Sequence, residues 1–568
     1  MTKSLRVLLA AAIVSGCAGR VTPNTGASSG AYDVIIENGK IVDGTGNAWF
    51  YGDVAIAGNR IAKVTPFGAL KNASAKRRID ATGMVVSPGF IDIQSHSWDA
   101  LLWRDGRVVG KIAQGVTTEI LGESTTPAPL NANMDSLEDV PDTAKTVLAL
   151  HKTFHGEHGF GAWLDAMGAH GNSVNAGSYL GASTVRAYAK GQAAGPATAA
   201  ELDTMRAVVR HAMEDGAFGV SSALIYPPGS YATTTELIEE AKAMSPYHGS
   251  YITHMRSEDD SLFQAMDEAF RIAREGNISV DIYHLKAAGR ANWPKAAGMI
   301  AKIDSARNAG LDVAATMYPY AASGNGLDSC FPDWVAENGK LMSNLRDPAI
   351  RKRVVDQMNR DGLCDPERYA VISIVGFRKP EWKKYEGWNL DQVANDMKIS
   401  RPDAVIELTL GENNRLSKIN FSMSEENVSM QLKQPWVVIG SDAGGQDPDS
   451  ARGLTHPRAY GTFARILGKY VRTDHLLTLE DAVRKMTGAT AARLKLRDRG
   501  LLREGMYADV VVFDPVTIRD VATFEKPHQL SVGVKHTFVN GVEVFADGHA
   551  TGAKPGMVVR GPGWTGQH

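Results

Sequence analysis

Two histidines, a glutamate and an aspartate stand where strand-like segments of this sequence end. His254 closes Tyr251-Ile252-Thr253-His254, His284 closes residues 279–284, Glu123 follows residues 116–121, and Asp442 follows residues 436–441. Two neutral imidazoles and a carboxylate are the donor set of a catalytic Zn²⁺ that keeps one position open for water. Such an ion lowers the pKa of its water toward ~7. An aspartate beside it, here Asp442, can accept that proton and hand it to a leaving amine. Gln94, His96, Arg256 and Lys286 fall at the same kind of position. Taken alone, each has a plain structural reading as a satisfied strand-end residue or a surface ion pair. Their convergence on several strand ends is what points to chemistry.

Elements that bring strand ends together are needed to position these groups. Apolar runs alternate with helical stretches at residues 89–94, 116–121, 173–180, 217–225, 250–254, 279–284, 311–317 and 436–441, the pattern of parallel βα units. Eight such strands are the count of a closed barrel, whose catalytic groups sit at the C-terminal strand ends. Residues 319–435 between the last two strands are too many for a loop. They predict a helical insertion, placed at 325–430, able to lid the barrel mouth. Outside the barrel, residues 32–44 read as a strand, an Asn38-Gly39 turn and a strand, and residues 508–514 and 535–540 read alike, with a turn at Asn540-Gly541. The expectation is an α/β protein. A distorted (β/α)8 TIM-like barrel over 86–500 stands beside a small β-sandwich made from both chain ends, 32–85 and 501–560.

Composition supports a folded enzyme-sized protein. Of 568 residues, 43% are hydrophobic and 22% charged, which leaves ample material for buried cores. Lys and Arg number 61 against 63 Asp and Glu, so no global field exists to hold nucleic acid. Lys3 and Arg6 precede an apolar run from Val7 to Val14 and the small residues Ser15-Gly16 before Cys17, the layout of a secretory signal over 1–16. Val14-Ser15-Gly16-Cys17 resembles a bacterial lipobox, which implies lipidation of Cys17 and a flexible tether over 17–31. The expectation is an exported lipoprotein, at the outer membrane or on the periplasmic face, touching membrane only through that anchor. Cys330 and Cys364 are the other two cysteines, and pairing between them is open. His151, His155 and His158 cluster in a polar helical stretch and read as surface.

Several segments together resemble the amidohydrolase superfamily, D-aminoacylase (N-acyl-D-amino-acid deacylase) branch. They are Pro88-Gly89-Phe90-Ile91-Asp92, Gly115-Val116-Thr117-Thr118, Gly216 to Ser221, Tyr251 to Arg256, His284-Leu285-Lys286, Gly440-Ser441-Asp442-Ala443 and His456-Pro457-Arg458. The resemblance implies His254 and His284 as zinc ligands and Asp442 as the acid/base. It implies that Lys286, Tyr318 and Arg458 clamp the α-carboxylate of an N-acyl amino acid, a role suited to a guanidinium fork and an ammonium. Two departures stand out. Gln94-Ser95-His96 replaces the branch's His-x-His, and Gly122-Glu123-Ser124 replaces Gly-Asn-Cys. The carboxylate of Glu123 substitutes for the lost thiolate, as in some N-acetylglucosamine-6-phosphate deacetylases. That gives one Zn²⁺ per chain on Glu123, His254 and His284, with His96 and Gln94 left to bond the water or polarise the carbonyl. A second, weaker site on His96 and Asp442 is the alternative. The implied reaction is hydrolysis of an N-acyl amino acid, of D configuration by resemblance alone. Its rivals are a dipeptidase or a cyclic-amide hydrolase, and a surface-anchored binding protein on a decayed enzyme.

Overall fold

Eight short segments, all but the third containing β-branched residues and most followed by a helix, form parallel strands in the computed structural model, which describes residues 32–134, 145–365 and 372–566. The expected signal, tether and lipidated Cys17 lie outside those residues. The barrel strands are Phe90–Asp92, Val116–Leu121, Asn175–Ser178 continued as Leu180–Gly181, Gly219–Ala223, Ser250–His254, Ser279–Ile282, Val313–Met317 and Val437–Ile439. Seven of the eight are buried along their whole length, Ser279 in the sixth being the half-buried exception, as expected of parallel strands covered on both faces. Neighbours pair in sequence order, for example Val220 with Tyr251 and Ile282 with Ala315. The ladder is interrupted at Tyr179, within the third strand, which distorts the barrel. Closure comes from the first and last strands. The Asp442 amide donates to the Gln94 carbonyl at 2.8 Å, and Ser95 bridges Ala443.

One fully buried ammonium fastens that seam. Lys111 Nζ bonds Asp92 Oδ2 at 2.5 Å, Ser441 Oγ at 2.6 Å and the Ala443 carbonyl at 2.7 Å. The interior below the strand ends is filled by Ile91, Ile93, Ile120, Tyr179, Phe218, Ile252, Tyr283 and Val438, with Val559 from the C-terminal tail packed against them. The barrel is thus a packed core with its chemistry confined to one end.

Both chain ends build one nine-stranded sheet. Val85–Pro88 is its joint, parallel to Tyr32–Ile41 and antiparallel to Val510–Phe513. Ile36, Val54, Val86, Val512 and Phe538, drawn from both ends, share its core.

The long connection between the last two barrel strands is a unit with its own core, including Leu327, Val335, Leu345, Val354, Ile374 and Leu408. Helices make up most of it, as expected. Pro348–Asp361 starts at an Asp347 cap with Pro348 at the first turn. A three-stranded antiparallel sheet of Ser323–Gly326, Ile372–Val375 and Ser417–Asn420 adds to those helices and was not foreseen. Cys330 and Cys364 are joined by a disulfide.

Candidate active site

Glu123, His254 and His284 leave three different barrel strands and meet. Glu123 Oε1 lies 3.5 Å from His254 Nδ1 and 3.3 Å from His284 Nε2. One donor atom from each of the three falls within 4.8 Å of the others, and the same is true of His96, Glu123 and Asp442. Glu123 is common to both groups. His284 and Asp442 turn off their strands with φ of 35° and 52°, a left-handed conformation that costs such residues of order 1–3 kcal/mol and is typical of functional sites. All five side chains face one cavity of about 330 Å³, which the insertion walls with Ser323 to Gly326 and Ser417 to Ile419.

The residues present fit a divalent cation. Of the three carboxylates on the cavity, Glu258 pairs with Lys286 and Asp442 with Arg458, while Glu123 has no Lys or Arg partner among the described residues and pairs only with imidazoles. Burial opposes a charge on His96, yet its hydrogen bonds to the Asp442 and Glu123 carboxylates outweigh it and push the ring up to about 9. Burial and Lys286 likewise oppose charge on His284, and Glu258, Asp442 and Glu123 still carry it up to about 9. The field that draws protons onto these rings also draws a metal ion. Burial raises Glu123, but its bonds to His254, His284 and His96 hold it well below the ordinary carboxylate range. Asp442 is lowered against its burial mainly by Arg458.

Glu258 was missed by the sequence reading. Its Oε1 lies 3.0 Å from His284 Nδ1 and 2.6 Å from Lys286 Nζ, and its Oε2 lies 3.5 Å from His254 Nε2. A carboxylate behind an imidazole fixes the ring and the tautomer that leaves the other nitrogen free to ligate. The only local signal was an acid four residues beyond His254.

The other expected residues are placed as follows. Gln94 sits behind Glu123, donating to Glu123 Oε2 and accepting from Thr316 Oγ1, both at 2.7 Å, so both ends of its amide are engaged within the protein. His96 Nε2 donates to Asp442 Oδ1 at 2.9 Å. Arg458 Nη1 lies 2.6 Å from Asp442 Oδ2, its guanidinium stacks 4.6 Å from the Tyr318 ring centroid, and its buried Nε has no acceptor among the described residues. His456, held neutral by burial and by Arg458, accepts the Arg458 amide and so orients it. Lys286 Nζ contacts Glu258 and His284 Nδ1. Arg256 instead braces Glu268 and the Ser230 and Ala232 carbonyls. His158 is bonded to Asp215, and His151, His155 and His158 all lie away from the cavity.

Residues 392–545 match the model of an amidohydrolase family. The D-aminoacylase of Alcaligenes xylosoxydans xylosoxydans is 35% identical over 93% of this chain and 97% of that protein. The N-acyl-D-glutamate deacylase of the same organism is 32% identical over 93% and 96%. Among solved structures, a D-aminoacylase with a binuclear metal centre superimposes with a TM-score of 0.77 at 36% identity, covering 93% of this chain and 100% of the other. The N-acyl-D-glutamate deacylase of Bordetella bronchiseptica, complexed with zinc and a phosphonate mimic of the tetrahedral intermediate, gives 0.75 at 31% identity over 94% and 100%.

Proposed function

From the membership of this chain in the D-aminoacylase family of amidohydrolases, we propose that it is a zinc-dependent hydrolase that cleaves N-acyl-D-amino acids to a carboxylate and the free amino acid. The observation that carries this reading is the convergence of Glu123, His254 and His284 on one point at the barrel mouth. These three would hold the metal, which when bound would act as a Lewis acid and lower the pKa of water.

The rest is done by the chain's own side chains. Asp442 takes the water's proton on its carboxylate and returns it to the departing nitrogen. Arg458 keeps Asp442 ionised between turnovers, and His96, bonded to Oδ1, fixes its direction and adds a donor beside the scissile carbonyl. The unfilled Nε of Arg458 offers a bond to the substrate's α-carboxylate, with the Tyr318 ring beneath the guanidinium. Lys286 adds positive charge while Glu258 holds it and both imidazoles in place. Gln94 holds Glu123 in its ligating position. A hydantoin-like ring has no free carboxylate for Arg458 to meet, which favours the acyclic substrate over that one.

The lipidation of Cys17 and export belong to the same reading. The Cys330–Cys364 disulfide supports an oxidising compartment. Hydrolysis of a panel of N-acyl amino acids of both hands by the zinc-loaded protein tests the activity. A full complement of zinc with no turnover of any D substrate would sink it.

A further inference from the structure

Lys418 lies on the insertion's own sheet, at the wall of the cavity opposite the barrel strands. Only 5% of the residue is exposed. Its Nζ donates to Asn325 Oδ1 at 2.8 Å, across the pairing of Asn325 with Lys418. Among the described residues it forms no ion pair; Asp328 acts on it only at longer range, and the Asp328 carboxylate accepts from Asn414 at 3.2 Å. Burial pulls this ammonium down to about 8. A buried cation without a counter-ion is costly unless something supplies the charge, and this one borders the substrate cavity.

Its place in the cavity says which part of a substrate reaches it. Arg458 Nη2 donates to the carbonyl of Gly324 at 3.1 Å, and the next residue along that strand is Asn325, the partner of Lys418. Lys418 therefore adjoins the Arg458 side of the cavity, the side to which the proposed contact between Arg458 and the α-carboxylate assigns the amino-acid half of the substrate.

We infer that Lys418, with Asn325, is a specificity-determining residue that receives a second carboxylate, carried on the side chain of the acylated amino acid. The inference rests on the deacylase reading above and narrows its substrate class to N-acyl-D-amino acids with acidic side chains.

The test compares kcat/KM for N-acetyl-D-glutamate, its neutral isostere N-acetyl-D-glutamine, N-acetyl-D-leucine and N-succinyl-D-leucine. The expected preference for glutamate over glutamine is about 10- to 100-fold, the range for a hydrogen bond to a charged group. Lys418→Met should reduce that ratio to near unity, and Lys418→Arg should retain most of it. Should Lys418→Met fail to fold, Lys418→Gln reads the same ratio. Equal handling of glutamate and glutamine by the unaltered protein would overturn the inference while leaving the deacylase intact. A Lys418-dependent preference for the succinyl over the acetyl substrate would overturn it by placing the second carboxylate on the acyl half. Turnover of none of the four by zinc-loaded protein would instead sink the deacylase reading, and the inference with it.

Discussion

Asp442 Oδ1 accepts a hydrogen bond from His96 Nε2 at 2.9 Å. That contact turns one oxygen of the carboxylate toward the metal ligands, while the other, Oδ2, meets Arg458. A group held in this way can carry a proton without binding the metal itself. Asp442→Asn should therefore lower kcat by about 10²- to 10⁴-fold, the span for a general acid/base, and leave the zinc content at one equivalent. Elemental analysis alongside steady-state kinetics checks both halves.

Glu123 belongs to both possible cation positions, but the second also uses Asp442 and His96. One zinc equivalent should restore activity after chelation. Excess zinc should inhibit, because a cation on Asp442 removes the proton carrier. Glu123→Gln should lose the tight equivalent. Activity read against zinc added, from zero to several equivalents, should rise and then fall; a curve that keeps rising to two equivalents would show that both positions are needed.

His284 binds its proton up to about pH 9 in the metal-free protein. Its charged form is favoured in the fold, so at neutral pH zinc must expel that proton. Zinc affinity should fall by about tenfold per pH unit for each proton displaced as the pH drops below that value. Calorimetry in buffers of different ionisation enthalpy at pH 7 should register proton release on zinc binding, and a buffer-independent heat would contradict it.

Arg458 lowers the proton affinity of Asp442. Its removal should therefore raise the Asp442 pKa and move the acidic limb of the kcat/KM profile to higher pH. Arg458→Ala should also raise KM for an N-acyl amino acid, through loss of the α-carboxylate contact. A KM effect with an unmoved acidic limb would mean that the ion pair with Asp442 does not matter in turnover.

Lys111 is wholly buried against Asp92 and Ser441 at the barrel seam. Lys111→Met leaves the Asp92 carboxylate without its cation, and breaking such a pair costs about 3–5 kcal/mol. Chemical denaturation of the zinc-loaded protein should show a loss of that order.

The ligands and Asp442 were legible because each follows a continuous buried strand, where residue type and position coincide. The eight strands were legible for the same reason. Glu258 was not, since it lies in a turn-rich stretch where no periodicity tells which way a side chain faces. Ser323-Gly324-Asn325-Gly326 reads as a turn, poor in strand-forming residues. It becomes a strand because Ser417–Asn420 pairs with it from nearly a hundred residues away, as at Ser323 with Asn420. Lys418 reads as one more polar residue until that pairing buries it. Arg458 was expected at the substrate; its contact with Asp442 depends on the barrel closing, which no local pattern encodes. Cys330 and Cys364 are 34 residues apart, and only the fold brings their Cα atoms to 5.3 Å.

The cavity's far wall belongs to a unit with its own apolar centre and its own covalent staple, while every candidate ligand belongs to the barrel. Evolution can therefore rewrite which molecules are admitted by altering the canopy, leaving the machinery beneath it untouched. Grafting that canopy between homologues is accordingly a route to new selectivity in which the bond-breaking step is inherited whole.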